Sequence, residues 1–437
     1  MTPKNSLLNC HQYIAQVQSL LLQVQSRSSY MIPTLLLGDA LLCTLIIFFV
    51  PYTEIDWKAY MEQVEQIVMG ERNYTVIRGG TGPLVYPAAH VYLYWLLYQI
   101  TDQGKNIFLA QCLFSILYMA TIIVVIACYR RAQAPLYVLP MLILSKRLHS
   151  IFLLRLFNDC FAVFFQWIAI YLIQRKSLTL GIISYSWGLG TKMSLLLSMP
   201  AIGVIIFLDR GVFGCLKQVW LILQLQIMLA IPFLLSNPIG YLKRAYDFSR
   251  QFEFKWTVNW RFIGEEIFLD QKFSILLLTG HFCTLLIFII TRWLRPVQKP
   301  FTEILRNILM LRQPYSISES TMSRRVKPKF IMTTILTANA IGFLFARSLH
   351  YQFYSYISLA SPFLFWRAGF HPFFQYLFWA VQEWAWNVYP STKFSSLLVV
   401  SVQLITVASI WQSTKTDFML GEAHTKKKTF KGHKVEL

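Results

Sequence analysis

Apolar stretches of helical length recur along the whole chain. They lie near residues 33–51, 88–101, 106–128, 134–145, 160–174, 177–188, 193–208, 214–236, 273–291, 330–346, 353–370, 373–388 and 394–412. In hydrocarbon the backbone N–H and C=O groups meet no water, so isolated strands are excluded and helices remain. Crossing a bilayer core takes about 20 apolar residues, and several of these stretches are shorter. Only 14% of the residues are charged, and the mean hydropathy is +0.48. A soluble globular chain carries roughly 25% charged residues. The pattern excludes an ordinary soluble enzyme, a disordered chain and a fibrous one. It predicts an all-α polytopic membrane protein with one helical domain over 33–412 and no repeat between its halves.

The charge is unbalanced, with 40 Lys+Arg against 20 Asp+Glu. In a soluble chain an excess of +20 would suggest nucleic acid. In a membrane chain the first explanation is topology, because cytosolic loops collect Lys and Arg, and no nucleic acid is expected here. The tail, 413–437, holds Lys415, Lys426, Lys427, Lys428, Lys431 and Lys434. The stretch 292–329 holds Arg292, Arg295, Lys299, Arg306, Arg312, Arg324, Arg325, Lys327 and Lys329. Both read as cytosolic. Counting crossings from them places Asp209–Lys217 and Arg175–Lys176 in the cytosol. The segments 146–159, 185–192, 237–272, 347–352 and 384–392 then fall on the lumenal side.

Residues 1–32 are expected to be a cytosolic segment without a secretory signal. The run from Pro33 would serve as an uncleaved anchor, making 53–87 the first lumenal loop. A parity conflict follows, since either 88–101 or 134–145 fails to cross. Arg130 and Arg131 favour 88–101 as the non-crossing one. Either choice gives about 12 crossings. The cysteines (Cys10, Cys43, Cys112, Cys128, Cys160, Cys215 and Cys283) are scattered singly and read as small apolar residues of helices. The ending HKVEL resembles a lumenal retention signal, but this topology puts it in the cytosol.

The first loop stands out. It holds Glu54, Asp56, Glu62, Glu65 and Glu71, 5 of the chain's 20 acids in 35 residues. EIDWKAYMEQVEQIVMG reads as an amphipathic interfacial helix, with Ile55, Ala59, Met61, Val64, Ile67 and Val68 available to the bilayer surface. RNYTVIRGGTGPLVYP follows, and its glycines and prolines force a tight, non-helical path. Asn73-Tyr74-Thr75 is a glycosylation sequon. Asp56 sits just past the first span, where a partly desolvated carboxylate can act as a general base. Glu54 competes for the role, and a solvated interfacial acid or helix-terminal charge would fit Asp56 as well.

The lumenal segments keep cations that topology does not explain. SKRLHSIFLLRLFND offers Lys146, Arg147, His149 and Arg155, and GLGTK ends in Lys192. NPIGYLKRAYDFSRQFEFKWTVNWRF carries Lys243, Arg244, Arg250, Lys255 and Arg261, and ARSLHYQFYSY offers Arg347 and His350. A phosphate or pyrophosphate suits such donors, although some can pair internally, for example Arg155 with Asp159. Tyr241, Tyr246, Trp256, Trp260, Tyr351, Tyr354, Trp384, Trp386 and Tyr389 lie on the same side. They fit either an interfacial aromatic belt or platforms for sugar rings.

Taken together, EIDW, RGGTGPLVYPA, LSKRLHSIFLLRLFND, YLKRAYDFSRQFEFKWTVNWRF, ARSLHYQFYSY and WNVYPST resemble the dolichyl-phosphate-mannose-dependent α-1,3-mannosyltransferases of asparagine-linked glycosylation. The resemblance runs from about residue 50 to 395. It implies a GT-C type glycosyltransferase fold in the endoplasmic reticulum membrane, multi-pass, with a lumenal active site. The implied partners are dolichyl-phosphate mannose, the five-mannose dolichyl-pyrophosphate oligosaccharide and the lipid bilayer. It implies Asp56 as the catalytic acid of the first lumenal loop. Neither a metal nor another cofactor is implied, and the linear spacing shows no metal-ligand motif. A β-linked mannosyl phosphate giving an α product calls for inversion, hence one base and no strong acid, unlike the paired carboxylates of glycoside hydrolysis. Arg347 and His350, then Arg147 and Lys192, are the expected donor-phosphate ligands. Arg261, Trp386, Asn387 and Tyr389 are the expected acceptor ligands. The competing readings are a transporter of an anionic substrate, a lipid-phosphate sugar transferase with another acceptor, and a non-catalytic membrane subunit.

Overall fold

The computed structural model describes residues 28–247, 253–311 and 326–417. Expectations resting on residues 1–27, Arg250, Arg312, Arg324, Arg325 and the lysines after position 417 lie outside these residues. Every apolar stretch singled out above carries helix. The order is α1 (Ser28–Phe49), α2 (Trp57–Val68), the two-residue strands β1 (Arg78–Gly79) and β2 (Gly82–Pro83), α3 (Ala88–Ile100) and α4 (Ile107–Arg131). A bent helical pair follows, then α5 (Asp159–Gln174), α6 (Leu178–Thr191), α7 (Met199–Ser236), α8 (Pro238–Ala245) and α9 (Gln271–Phe288). The chain ends with α10 (Phe301–Leu309), α11 (Pro328–Phe345), α12 (Tyr354–Arg367), α13 (Pro372–Asn387) and α14 (Lys393–Ser413).

Among the described residues, six helical runs are long and apolar enough to cross a membrane: Tyr30–Phe49, Ile107–Arg131, Met193–Ser236, Gln271–Val297, Pro328–Phe345 and Lys393–Thr416. A seventh forms if Leu136–Ile143 and Lys146–Leu154, bent by 48°, count as one. The chain is therefore an α-helical membrane protein. Both contested stretches depart from a straight span: 88–101 is a 13-residue helix, and 134–145 is one arm of the bent pair. Helix α7 reverses within its length. Gly211 takes φ 70° there, a conformation open to glycine. Cys215 Sγ then reaches the Gly203 carbonyl at 3.4 Å, a contact that twelve residues of straight helix would forbid.

The exterior is apolar, as lipid contact requires. Helix α1 exposes Leu37 (72%) and Phe48 (66%) and buries its one acid, Asp39. Inside, α5 and α6 pack closely because glycines line the contact. A Cβ on Gly188 would come within 3.2 Å of the Ala162 carbonyl oxygen.

The polar groups gather at two ends. At one end Lys176 bonds Asp209 (3.5 Å) and the Val326 carbonyl (2.9 Å), and Arg367 pairs with Asp417. Arg292 donates to the Trp411 carbonyl at 2.7 Å and lies over that ring. These are the segments assigned above to the cytosol. At the other end Val258 N–H donates to the Leu349 carbonyl (2.8 Å), the Tyr351 hydroxyl to Val388 (2.6 Å) and Ser391 to Thr257 (2.6 Å). Thr53 N–H donates to Leu154 (3.0 Å) and so joins the first loop to this end.

Helix α2 differs from its expected placement on the bilayer. Ala59, Met61, Val64 and Ile67 are buried against the protein, together with Trp57 and Tyr60, while Ile55 and Val68 stay exposed. Trp57 and Tyr60 pack on Tyr94 of α3 and Phe114 of α4, and the hairpin fastens the polar residues: Gln63 Nε2 donates to the Gly82 carbonyl at 3.2 Å, and Gly80 N–H donates to Glu62 at 2.6 Å. Gly79 permits this closeness, since a Cβ there would lie 2.7 Å from the Ala59 Cα. Gly79→Ala is expected to destabilise the protein by about 1–3 kcal/mol. A thermal-unfolding midpoint in detergent checks this, and an unchanged midpoint would contradict the packing.

Candidate functional site

Asp56 occupies the N-cap position of α2 without a side-chain capping bond. Its carboxylate instead faces inward. The Tyr60 hydroxyl, one turn on, donates to Asp56 Oδ2 at 3.3 Å, and the Thr81 hydroxyl, at the tip of the glycine hairpin, bonds it as well. The hairpin clamped to α2 is thus what delivers Thr81. Burial holds the Asp56 carboxyl above the ordinary aspartate range. The Thr81 hydroxyl, the Lys192 charge and the Tyr60 hydroxyl pull it back down, and the Asp159 charge pushes it up. A carboxylate so placed is a stronger base than one in water.

Glu54, the rival, is exposed and engaged elsewhere. It accepts from the Tyr52 hydroxyl (2.6 Å) and from the Lys58 N–H (3.0 Å), so it caps α2.

The expected phosphate ligands divide. The Lys192 ammonium is in ion contact with Asp159 and donates to Asn158 Oδ1 at 3.3 Å. The rings of Tyr86 (5.8 Å) and Phe353 (5.3 Å) cover it. The internal pairing expected for Asp159 therefore forms with Lys192. Arg155 donates to Ser150 Oγ instead. Arg147 lies over the Tyr351 ring at 4.6 Å, is 8% exposed, and its buried Nε has no hydrogen-bond partner. Arg347 turns to another neighbourhood, with Nη1 donating to Ser274 Oγ at 3.1 Å. His350 precedes the short turn Tyr351–Phe353, whose rings meet Arg147 and Lys192.

The expected acceptor ligands also divide. Tyr389 is 65% exposed and its ring stands 5.7 Å from Tyr351, so its face is open. Trp386 is fully buried, stacked on Tyr354 at 5.1 Å. Its ring packs the core and offers no platform to a sugar, which corrects that expectation. Asn387 Nδ2 donates to Glu383 Oε1 at 3.0 Å, and Arg261 Nη1 donates to the Lys255 carbonyl at 3.0 Å.

Glu383 was not singled out in the sequence, yet it organises this region. It accepts from Ser145 Oγ (2.9 Å), the Arg147 N–H (3.0 Å) and the Tyr354 hydroxyl (2.7 Å), besides Asn387. Its signal was available: a lone acid in an otherwise apolar stretch is expensive unless functional or paired. Thr81 and Tyr60 carried no comparable signal.

The fold also gathers Asp39, Cys43 and His149 within 4.8 Å, a grouping absent from the linear spacing. Asp39 Oδ1 pairs with His149 Nε2 (2.8 Å) and Oδ2 accepts from Tyr118 (2.9 Å), while His149 Nδ1 bonds the Ser145 carbonyl (2.8 Å). These partners satisfy the Asp39 carboxylate and the His149 ring, so the cluster reads as a buried clasp between α1 and the bent pair.

No solved structure matches the chain. A Neurospora crassa protein named Dol-P-Man:Man(5)GlcNAc(2)-PP-Dol alpha-1,3-mannosyltransferase is 56% identical to it over 399 residues, covering 91% of this chain and 90% of that one. The human protein of the same name is 38% identical over 387 residues, covering 87% and 86%. An Arabidopsis thaliana protein, also of that name, is 36% identical over 401 residues, covering 91% of each. Residues 33–396 match the family model described as ALG3 protein, and with these relatives the match places the chain in the ALG3 protein family.

Proposed function

We propose that the chain carries out the reaction its relatives are named for. It is a mannosyltransferase that moves mannose from dolichyl-phosphate mannose to the five-mannose dolichyl-pyrophosphate oligosaccharide, forming an α-1,3 linkage. The observation that carries the mechanism is the inward-facing Asp56 carboxylate, uncommitted to capping and partly desolvated. In a single displacement Asp56 takes the proton of the acceptor hydroxyl as its oxygen attacks the anomeric carbon. The donor phosphate departs as an anion and needs no acid. A transporter would hold its ionisable groups near the midplane and often shows repeats. Here Asp56, Arg147 and Lys192 sit with the loops of one end, which favours the transferase.

The fold is of GT-C type with about 12 crossings and both termini cytosolic, and the domain runs from 33 to 412. The site faces the lumen of the endoplasmic reticulum. The segregation of Lys176, Asp209, Arg292 and Arg367 to the opposite end supports that orientation. The donor phosphate is held by Arg147, whose Nε lacks a partner, with His350 approaching from just before the Tyr351 turn and Arg347 joining only by leaving Ser274. Tyr389, Asn387 and Arg261 line the acceptor side, and Trp386 supports them from beneath.

Three outcomes follow for purified, reconstituted enzyme. Asp56→Asn lowers the transfer rate by on the order of 10²–10⁴-fold at unchanged protein abundance; near-normal transfer would remove the base assignment. Because the carboxyl is held above the ordinary aspartate range, kcat/KM rises with pH through a midpoint above about 3.9 and falls away below it. A midpoint at or below that value would contradict the burial argument. Arg147→Lys keeps the charge and loses the planar fork, so KM for the donor rises more than kcat falls. A pure loss in kcat would assign Arg147 elsewhere.

A further inference from the structure

Behind Asp56 lies an ion pair that the reaction scheme leaves without a role. Asp159 begins α5 and is fully enclosed, and Lys192, which follows α6, is 7% exposed. A buried pair of this kind contributes little net stability compared with apolar packing, because both charges lose their water.

The pair is wired toward the site. Asn158 Oδ1 accepts from Lys192 Nζ at 3.3 Å and stands 3.5 Å from the Tyr60 hydroxyl. That hydroxyl has a single proton, and the Asp56 carboxylate at 3.3 Å is the stronger acceptor. Asn158 Nδ2 turns the other way and donates to His90 Nδ1 at 3.4 Å. One amide therefore holds Lys192 on one side and His90 on the other, beside the Tyr60 hydroxyl.

We infer that the Lys192–Asp159 pair is a positioning device for the transfer reaction, holding one positive and one negative charge at fixed places behind Asp56 and so setting its charge balance. The inference rests on Asp56 being the base. Lys192 attracts the ionised Asp56 and favours it, while Asp159 repels it. The other groups facing Asp56 are uncharged hydroxyls and rings: Thr81 from the hairpin, Tyr60 from α2, and Tyr86 ahead of α3. His90 and Tyr94 come from α3, and His90 is neutral while its Nδ1 accepts from Asn158. On its own segment, Glu54 is tied to Tyr52 and the α2 backbone. Lys192 and Asp159 are thus the two charges that bear on Asp56 from the packed helices.

The test is the pH dependence of kcat/KM for the full-length enzyme with dolichyl-phosphate mannose and the five-mannose acceptor. Lys192 holds the Asp56 titration down, so Lys192→Gln moves the acid limb to higher pH. Asp159 holds it up, so Asp159→Asn moves the limb to lower pH. Each shift is on the order of one pH unit, and the double variant returns toward the parent. Lys192→Arg keeps the charge and leaves the limb in place. Opposite shifts are not produced by simple loss of packing, which would lower activity at every pH in both variants. Should Asp159→Asn fail to fold, the Lys192→Gln and Lys192→Arg comparison still decides. Shifts of the same sign, or a limb that moves in neither Asp159→Asn nor Lys192→Gln, overturn the inference. Near-normal transfer by Asp56→Asn would instead remove the base itself, a distinguishable failure.

Discussion

Everything in this molecule follows from the cost of placing charge where there is no water. Bare ions in an apolar interior are expensive, and the effective penalty is several kcal/mol per ion. The chain meets that cost in two ways. At one end Lys176, Arg292 and Arg367 find carboxylates and carbonyls. Inside, two buried carboxylates are fastened to partners: Asp39 to His149 and Tyr118, and Asp159 to Lys192. Asp56 lies at the boundary between these regimes, neither solvated nor matched by a contacting cation. That position is what makes its carboxylate available for chemistry.

The scaffold that keeps Asp56 there is local and economical. Helix α2 packs its apolar face on the protein, and its polar residues Glu62 and Gln63 fasten the glycine hairpin alongside. The hairpin hands Thr81 to the carboxylate while Tyr60 reaches it from within the helix. Glu54 takes over the capping that Asp56 leaves undone. The turn Tyr351–Phe353 presents one ring to Arg147 and another to Lys192, and Glu383 fixes the backbone of Arg147. Asp56, the Arg147 guanidinium with a free Nε and the exposed Tyr389 ring therefore lie at the same end.

Much of this was legible in the sequence, for physical reasons. Apolar length and the lack of charge determine the helical membrane class, and each predicted stretch carries helix. The glycines of the acid-rich first loop pointed to a tight turn, which β1 and β2 form. What stayed hidden depends on contacts between distant segments. An amphipathic pattern cannot say whether an apolar face meets lipid or protein, so α2 was expected on the bilayer and is found packed inward. A lysine on the lumenal side looks free until the fold brings Asp159 against it. A tryptophan in an interfacial motif looks like a sugar platform until Tyr354 covers it. Glu383 carried a readable signal as a lone acid in an apolar stretch, and its four donors explain why it is tolerated there.

The central claim is that Asp56 acts as the base that accepts the proton of the acceptor hydroxyl. Chemical rescue tests it most directly: single-turnover transfer by Asp56→Ala, with dolichyl-phosphate mannose and the five-mannose acceptor, measured with and without added formate. The account predicts almost no transfer without formate and a concentration-dependent recovery with it, giving the same α-1,3 product. Transfer near the parent rate in the absence of formate would contradict it.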